Sequence, residues 1–115
     1  MLLRRRTIPS QYKRGADLER DIKKWLESLG YYVMRSAGSK GPVDLIALYQ
    51  RGHVKDVPML IQAKIGKMSK GKRLEFDAFA RKYGSGYIAT PDGLFIVDRD
   101  GELVLWADIK EVQNT

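Results

Sequence analysis

The sequence predicts an α/β fold, a mixed β-sheet flanked by α-helices, and three observations carry that expectation. One amphipathic helical stripe opens the chain and a second sits in its middle. Six short runs rich in β-branched and aromatic residues surround them. The order is helix, three strands, helix, three strands, which suits a sheet with helices packed on it. At 115 residues with 43% hydrophobic content the chain has enough apolar material for one core and no room for two.

The elements follow in order. Residues 16–30, "ADLERDIKKWLESLG", place Leu18, Ile22, Trp25, Leu26 and Leu29 on one helical stripe, with Gly30 as a C-terminal cap. Residues 31–36, "YYVMRS", read as a strand, and "AGSKGP" after them as a loop. "DLIALYQ" (44–50) and "PMLIQAKI" (58–65) are two further strands. The polar stretch "RGHVKD" joins them and holds the chain's lone histidine, His53, read as an ordinary exposed side chain. "GKMSKGK" (66–72) reads as a basic loop punctuated by glycine. "LEFDAFARKYG" (74–84) is the second helix, with Phe76, Phe79, Ala80 and Tyr83 on its apolar face. "GYIAT", "LFIVD" and "LVLWA" are three short strands, turned by "PDG" and "RDGE".

Charge narrows the function. The net charge is +7, and it is unevenly placed. Residues 1–14 hold Arg4, Arg5, Arg6, Lys13 and Arg14 without an acid, and residues 64–73 hold Lys64, Lys67, Lys70, Lys72 and Arg73 without one. Such polarity suits a polyanion such as nucleic acid, and equally a plain solvated surface. Residues 1–12 read as a basic arm and 13–115 as a single domain. There is no cysteine, hence no disulfide framework and no thiolate metal site. No apolar run approaches the roughly 18 residues of a membrane helix, and "MLLRRR" is too short for a signal peptide's apolar region. The reading therefore expects a cytoplasmic protein with no membrane and no small-molecule substrate.

Chemistry concentrates in residues 41–64, "GPVDLIALYQRGHVKDVPMLIQAK". Alternation along a strand puts Gln62 and Lys64 on one face and Ala63 on the other. If the two strands pair as a hairpin, Asp44 reaches the same edge. A carboxylate and an amide oxygen are hard ligands suited to magnesium, and a lysine beside them can orient water or offset developing charge. Glu19, next to the apolar stripe of the first helix, would supply a second carboxylate. The same spacing also suits a structural ion pair between Asp44 and Lys64.

The pattern "E…PVD…QAK" resembles the PD-(D/E)xK nuclease superfamily. The longer run from Gly15 to Leu48 resembles the archaeal-type Holliday junction resolvases: Glu19-Arg20 in the helix, "VMRSAGS" at 33–39, and "DLIA" at 44–47. The resemblance covers roughly residues 13–90. It implies a restriction-endonuclease-like fold and a metal-dependent endonuclease that cuts four-way DNA junctions during recombination, repair or replication, by in-line attack of a metal-activated water. Mg2+ would be the cofactor, with Mn2+ able to substitute. Asp44, Gln62, Glu19 and the backbone carbonyl of Ala63 would hold the metal. Lys64 would be the catalytic lysine, and Ser39 would assist cleavage. Arg20 and Arg35 match residues that handle DNA phosphates; Lys40 and the basic residues above join them as DNA-binding candidates. The partners implied are branched DNA and a second copy in a homodimer, with Leu103, Leu105 and Trp106 serving either that interface or the core. Gln62 stands where most members carry glutamate, so metal affinity is the property this departure puts in doubt. The alternatives are a nuclease of the same fold acting on flaps, nicks or duplex, and an inactive DNA-binding homologue.

Overall fold

The computed structural model describes residues 15–36, 41–49 and 57–108. Its order is α1 (Gly15–Ser28), β1 (Tyr31–Arg35), β2 (Leu45–Tyr49), β3 (Met59–Ala63), α2 (Lys70–Ala80), β4 (Ser85–Thr90), β5 (Gly93–Val97) and β6 (Leu103–Asp108). The six strands form one mixed sheet in the order β1-β2-β3-β4-β5-β6. Every neighbouring pair is antiparallel except β3 and β4, which run parallel. A parallel pair needs a crossover, and α2 is that crossover.

The α1 stripe does what its spacing requires. Leu18, Ile22, Trp25 and Leu26 are buried and meet Val33, Leu45, Ala47, Ile61 and Leu94 on one face of the sheet. Leu29 falls past the last helical residue and stays 45% exposed, so it leaves the stripe. Gly30 follows with φ of 99°, the left-handed cap expected of it. On the opposite face Phe76 and Ala80 of α2 pack with Leu60, Ile88 and Val97.

Two boundaries differ from the sequence reading. The segment read as a basic loop already contains the start of α2: Ser69 caps the helix, its hydroxyl accepting from the Lys72 amide at 3.2 Å. Four residues of the basic run are thus helical, because a capping serine and long straight side chains suffice without any apolar periodicity. Tyr83 lies beyond the helix end and is 63% exposed, its ring leaning on Phe79 at 5.4 Å rather than entering the core. Leu103 joins the α2-side core, while Leu105 is half exposed. Trp106 packs edge-on against Trp25 and Tyr87 with a large part of its ring still open to solvent.

Candidate active site

Asp44 sits one residue before β2, where three strands converge. Its carbonyl accepts from the Ser36 amide and its own amide donates to the Ile61 carbonyl, both at 2.8 Å. Its carboxylate Oδ2 accepts from the Ala63 amide, also at 2.8 Å. The side chain is therefore pinned at the end of β3, between Gln62 and Lys64. Its partner among the described residues is this amide rather than Lys64, so the alternative of a structural ion pair is not what the carboxylate makes.

Gln62 and Lys64 share a face, as the alternation expected. Both line a cleft of about 600 Å³ whose other walls include Pro42, Lys67, Lys72 and Phe76. The Lys64 amide donates to the Ala89 carbonyl of β4 at 2.8 Å, so its backbone is fixed although its side chain is exposed.

Burial holds the Asp44 carboxyl above its ordinary range, the Ala63 amide opposes that rise, and the charge of Glu19 adds to it. Two acids from α1 and the β2 edge thus feel each other through a partly desolvated region. Such a place is relieved by a hard cation. Among the described residues no three His, Cys, Asp or Glu side chains cluster around one point. Gln62 lies across from Asp44 in the β2–β3 register, where the resemblance expects a glutamate. In chemistry, the oxygens of Asp44, Glu19, the Gln62 amide and the Ala63 carbonyl are of the hard kind that a divalent ion takes.

The predicted basic residues separate into two kinds. Lys67 and Lys72 face the cleft, and Lys70 is exposed at the start of α2. Arg20, by contrast, pairs with Asp17 at 2.6 Å, and Arg35 pairs with Glu19 at 3.2 Å. Glu19 is the more covered partner, 17% exposed against 41% for Arg35, so the guanidinium lies over the carboxylate from the solvent side. Arg73 is engaged with the carbonyls of Met68 and Gly101. Ser39, Lys40, Arg4, Arg5, Arg6, Lys13 and Arg14 lie outside the described residues. The sequence reading had not singled out Met68, Phe76 and Phe79 as cleft walls. In the sequence, Phe76 and Phe79 read as the apolar face of the second helix, and Met68 as part of the basic loop before it.

The family model described as archaeal Holliday junction resolvase (hjc) matches residues 10–89, well over half of the chain. The chain belongs to this resolvase family. A 37-residue stretch is 57% identical to the crossover junction endodeoxyribonuclease Hjc of Methanocaldococcus jannaschii, covering 32% of this chain and 27% of that one. The solved structure of Archaeoglobus fulgidus Hjc, a Holliday junction resolvase from an archaeal hyperthermophile, aligns with 26% identity and a TM-score of 0.49 over 64% of this chain and 61% of that one. The alignments therefore span little more than a quarter of the curated resolvase and under two thirds of the solved one. No helix among the described residues is long and apolar enough to cross a membrane.

Proposed function

We propose that residues 13–115 form a divalent-metal-dependent endonuclease domain that cleaves four-way DNA junctions, with residues 1–12 as a basic arm on the DNA. Membership in a resolvase family supports the substrate class. The single observation that carries the chemistry is the Asp44 carboxylate bonded to the Ala63 amide between Gln62 and Lys64. Asp44, Gln62, the Ala63 carbonyl and Glu19 would hold the ion, which supplies positive charge for the developing oxyanion and lowers the pKa of water. Magnesium fits this all-oxygen set, and manganese is a workable substitute. Lys64 orients the attacking oxygen and offsets negative charge at phosphorus. Lys67, Lys70 and Lys72 contact phosphates along the strand, and Arg20 and Arg35 do so by exchanging their carboxylate partners for phosphate. Ser39 and Lys40 follow the first strand and complete the DNA-facing set. Cutting a junction on two opposed strands calls for two sites, which a two-fold homodimer supplies.

The test is a labelled four-way junction beside its matched duplex, each incubated with magnesium, manganese or a chelator. Nicking of the junction alone, abolished by the chelator, is the expected result. Equal cutting of duplex would make the chain a general nuclease of the same fold, and junction binding without nicking under any ion would make it a DNA-binding relative.

Gln62→Glu restores a third carboxylate to the site. Because a neutral amide pulls less on a hard cation, the magnesium concentration for half-maximal cleavage should fall several-fold. Titrating magnesium against single-turnover rate checks this, and an unchanged or higher midpoint removes Gln62 from the ion's ligands.

A further inference from the structure

The stretch from Lys64 to Ser69 carries two of the cleft lysines, yet it stands between two hollows. The 600 Å³ cleft lies on one side. A second hollow of about 480 Å³ is lined by the same Lys64, Lys67 and Met68 together with Arg73. Ile65 packs on one core and Met68 on the other, and backbone anchors fix the stretch between them. One anchor is the Lys64 amide on the Ala89 carbonyl. At the far end the Met68 carbonyl accepts from Arg73 Nη1. The same guanidinium donates through Nε to the carbonyl of Gly101, 28 residues further along.

Gly101 belongs to the turn between β5 and β6, which braces itself. Asp98 Oδ1 accepts from the amides of Asp100 and Glu102 at 2.8 and 2.9 Å, and the Gly101 amide donates to the Asp98 carbonyl at 2.9 Å. Arg73 therefore ties the lysine-bearing wall to a fixed point. We propose that Arg73 is a positioning residue for the cleavage reaction: it clamps the Met68 and Gly101 carbonyls and so holds Lys64 and Lys67 toward the cleft, instead of contacting phosphate as its place in the basic run suggests. This rests on the endonuclease reading above. Arginine suits the task because its planar fork donates in two fixed directions at once, whereas lysine offers one flexible ammonium.

Two variants perturb the clamp from opposite ends. Arg73→Lys keeps the charge and loses the fork. Gly101→Ala leaves every charge in place; Gly101 has φ of 85°, and an added Cβ would come 2.7 Å from Lys70 Cγ and 3.1 Å from Leu74 Cγ, forcing the turn off α2. Both should bind the junction within about twofold of wild type with an unchanged salt slope, while single-turnover cleavage at saturating enzyme slows by about 10-fold or more. Amide hydrogen exchange at residues 64–69 should quicken in both. If Arg73→Lys cleaves and exchanges like wild type, and Arg73→Gln flattens the slope of log K against log salt by roughly 0.9, Arg73 is a phosphate contact and the clamp is overturned. Should Gly101→Ala fail to fold, Arg73→Lys with the exchange readout decides alone. A wild-type protein that cuts no DNA would overturn the endonuclease reading, and the exchange readout would still decide the clamp.

Discussion

Asp44→Asn is expected to lower junction cleavage by at least about 100-fold, the scale of losing one preorganised electrostatic group at a reacting centre. Junction affinity should hold or rise, since on the proposed reading the change removes a negative charge that would otherwise repel DNA phosphates. The amide oxygen of asparagine can still accept from the Ala63 amide, so the local backbone arrangement stays. Stability gives a second, independent readout. The Asp44 carboxyl is raised by burial and by Glu19, so the folded protein holds that proton more tightly than the unfolded chain does. Ionised Asp44 therefore costs stability at pH above its folded pKa, and the cost fades as pH falls through that value. With a chelator present at neutral pH, Asp44→Asn should melt at or above the wild-type temperature, and the gap should close on acidification. Added magnesium should stabilise the wild type more than the variant. A variant that cuts near the wild-type rate would remove Asp44 from the site.

Phe76→Ala is expected to cost about 3–5 kcal/mol, the range for emptying a buried aromatic position. Phe76 is 3% exposed and joins α2 to Leu60, Ile88 and Val97 beneath it. Its ring also lines the cleft beside Gln62 and Lys64, so the same change widens the site it supports. Urea unfolding should show a lower midpoint with an unchanged slope, and the melting temperature should drop on the order of 15 °C. Tyr83→Ala, at an exposed position leaning on Phe79, should cost far less. A loss for Phe76→Ala below about 1 kcal/mol would mean that the ring is not wedged between helix and sheet.

The layers of this fold were legible because burial leaves a periodic trace. Leu18, Ile22, Trp25 and Leu26 read as one helical stripe and are one buried row, and each of the six apolar runs is a strand. The β2–β3 hairpin that sets Asp44 beside the end of β3 was legible for the same reason. Hydrogen bonds to backbone leave no such trace. Nothing in "SKGKR" marks Arg73 as a residue that reaches Gly101, and nothing in "PVD" marks the Ala63 amide as the partner of Asp44. Nor does composition tell which arginines are already spoken for: Arg20 and Arg35 share their sign with Lys67 and Lys72 but face Asp17 and Glu19. Residue type gives the charge, and only the fold gives its neighbour.

The strand order 1-2-3-4-5-6 bears on how the chain reaches its native state. Every strand pairs with its neighbour in sequence, so most strand closures are local, while the helices and the parallel pair add long-range contacts that place the fold among the intermediate α/β class. The one long closure is the parallel pair of β3 and β4, whose loop-closure entropy must be met before its contacts form. Lys64 takes its backbone anchor from β4, whereas Asp44 takes its own from β3. A chain with β2 and β3 paired but β4 not yet docked has Asp44 in place and Lys64 without its backbone anchor. On the endonuclease reading proposed above, cutting would await this β3–β4 closure, and a chain that has not yet made it would leave the DNA around it intact.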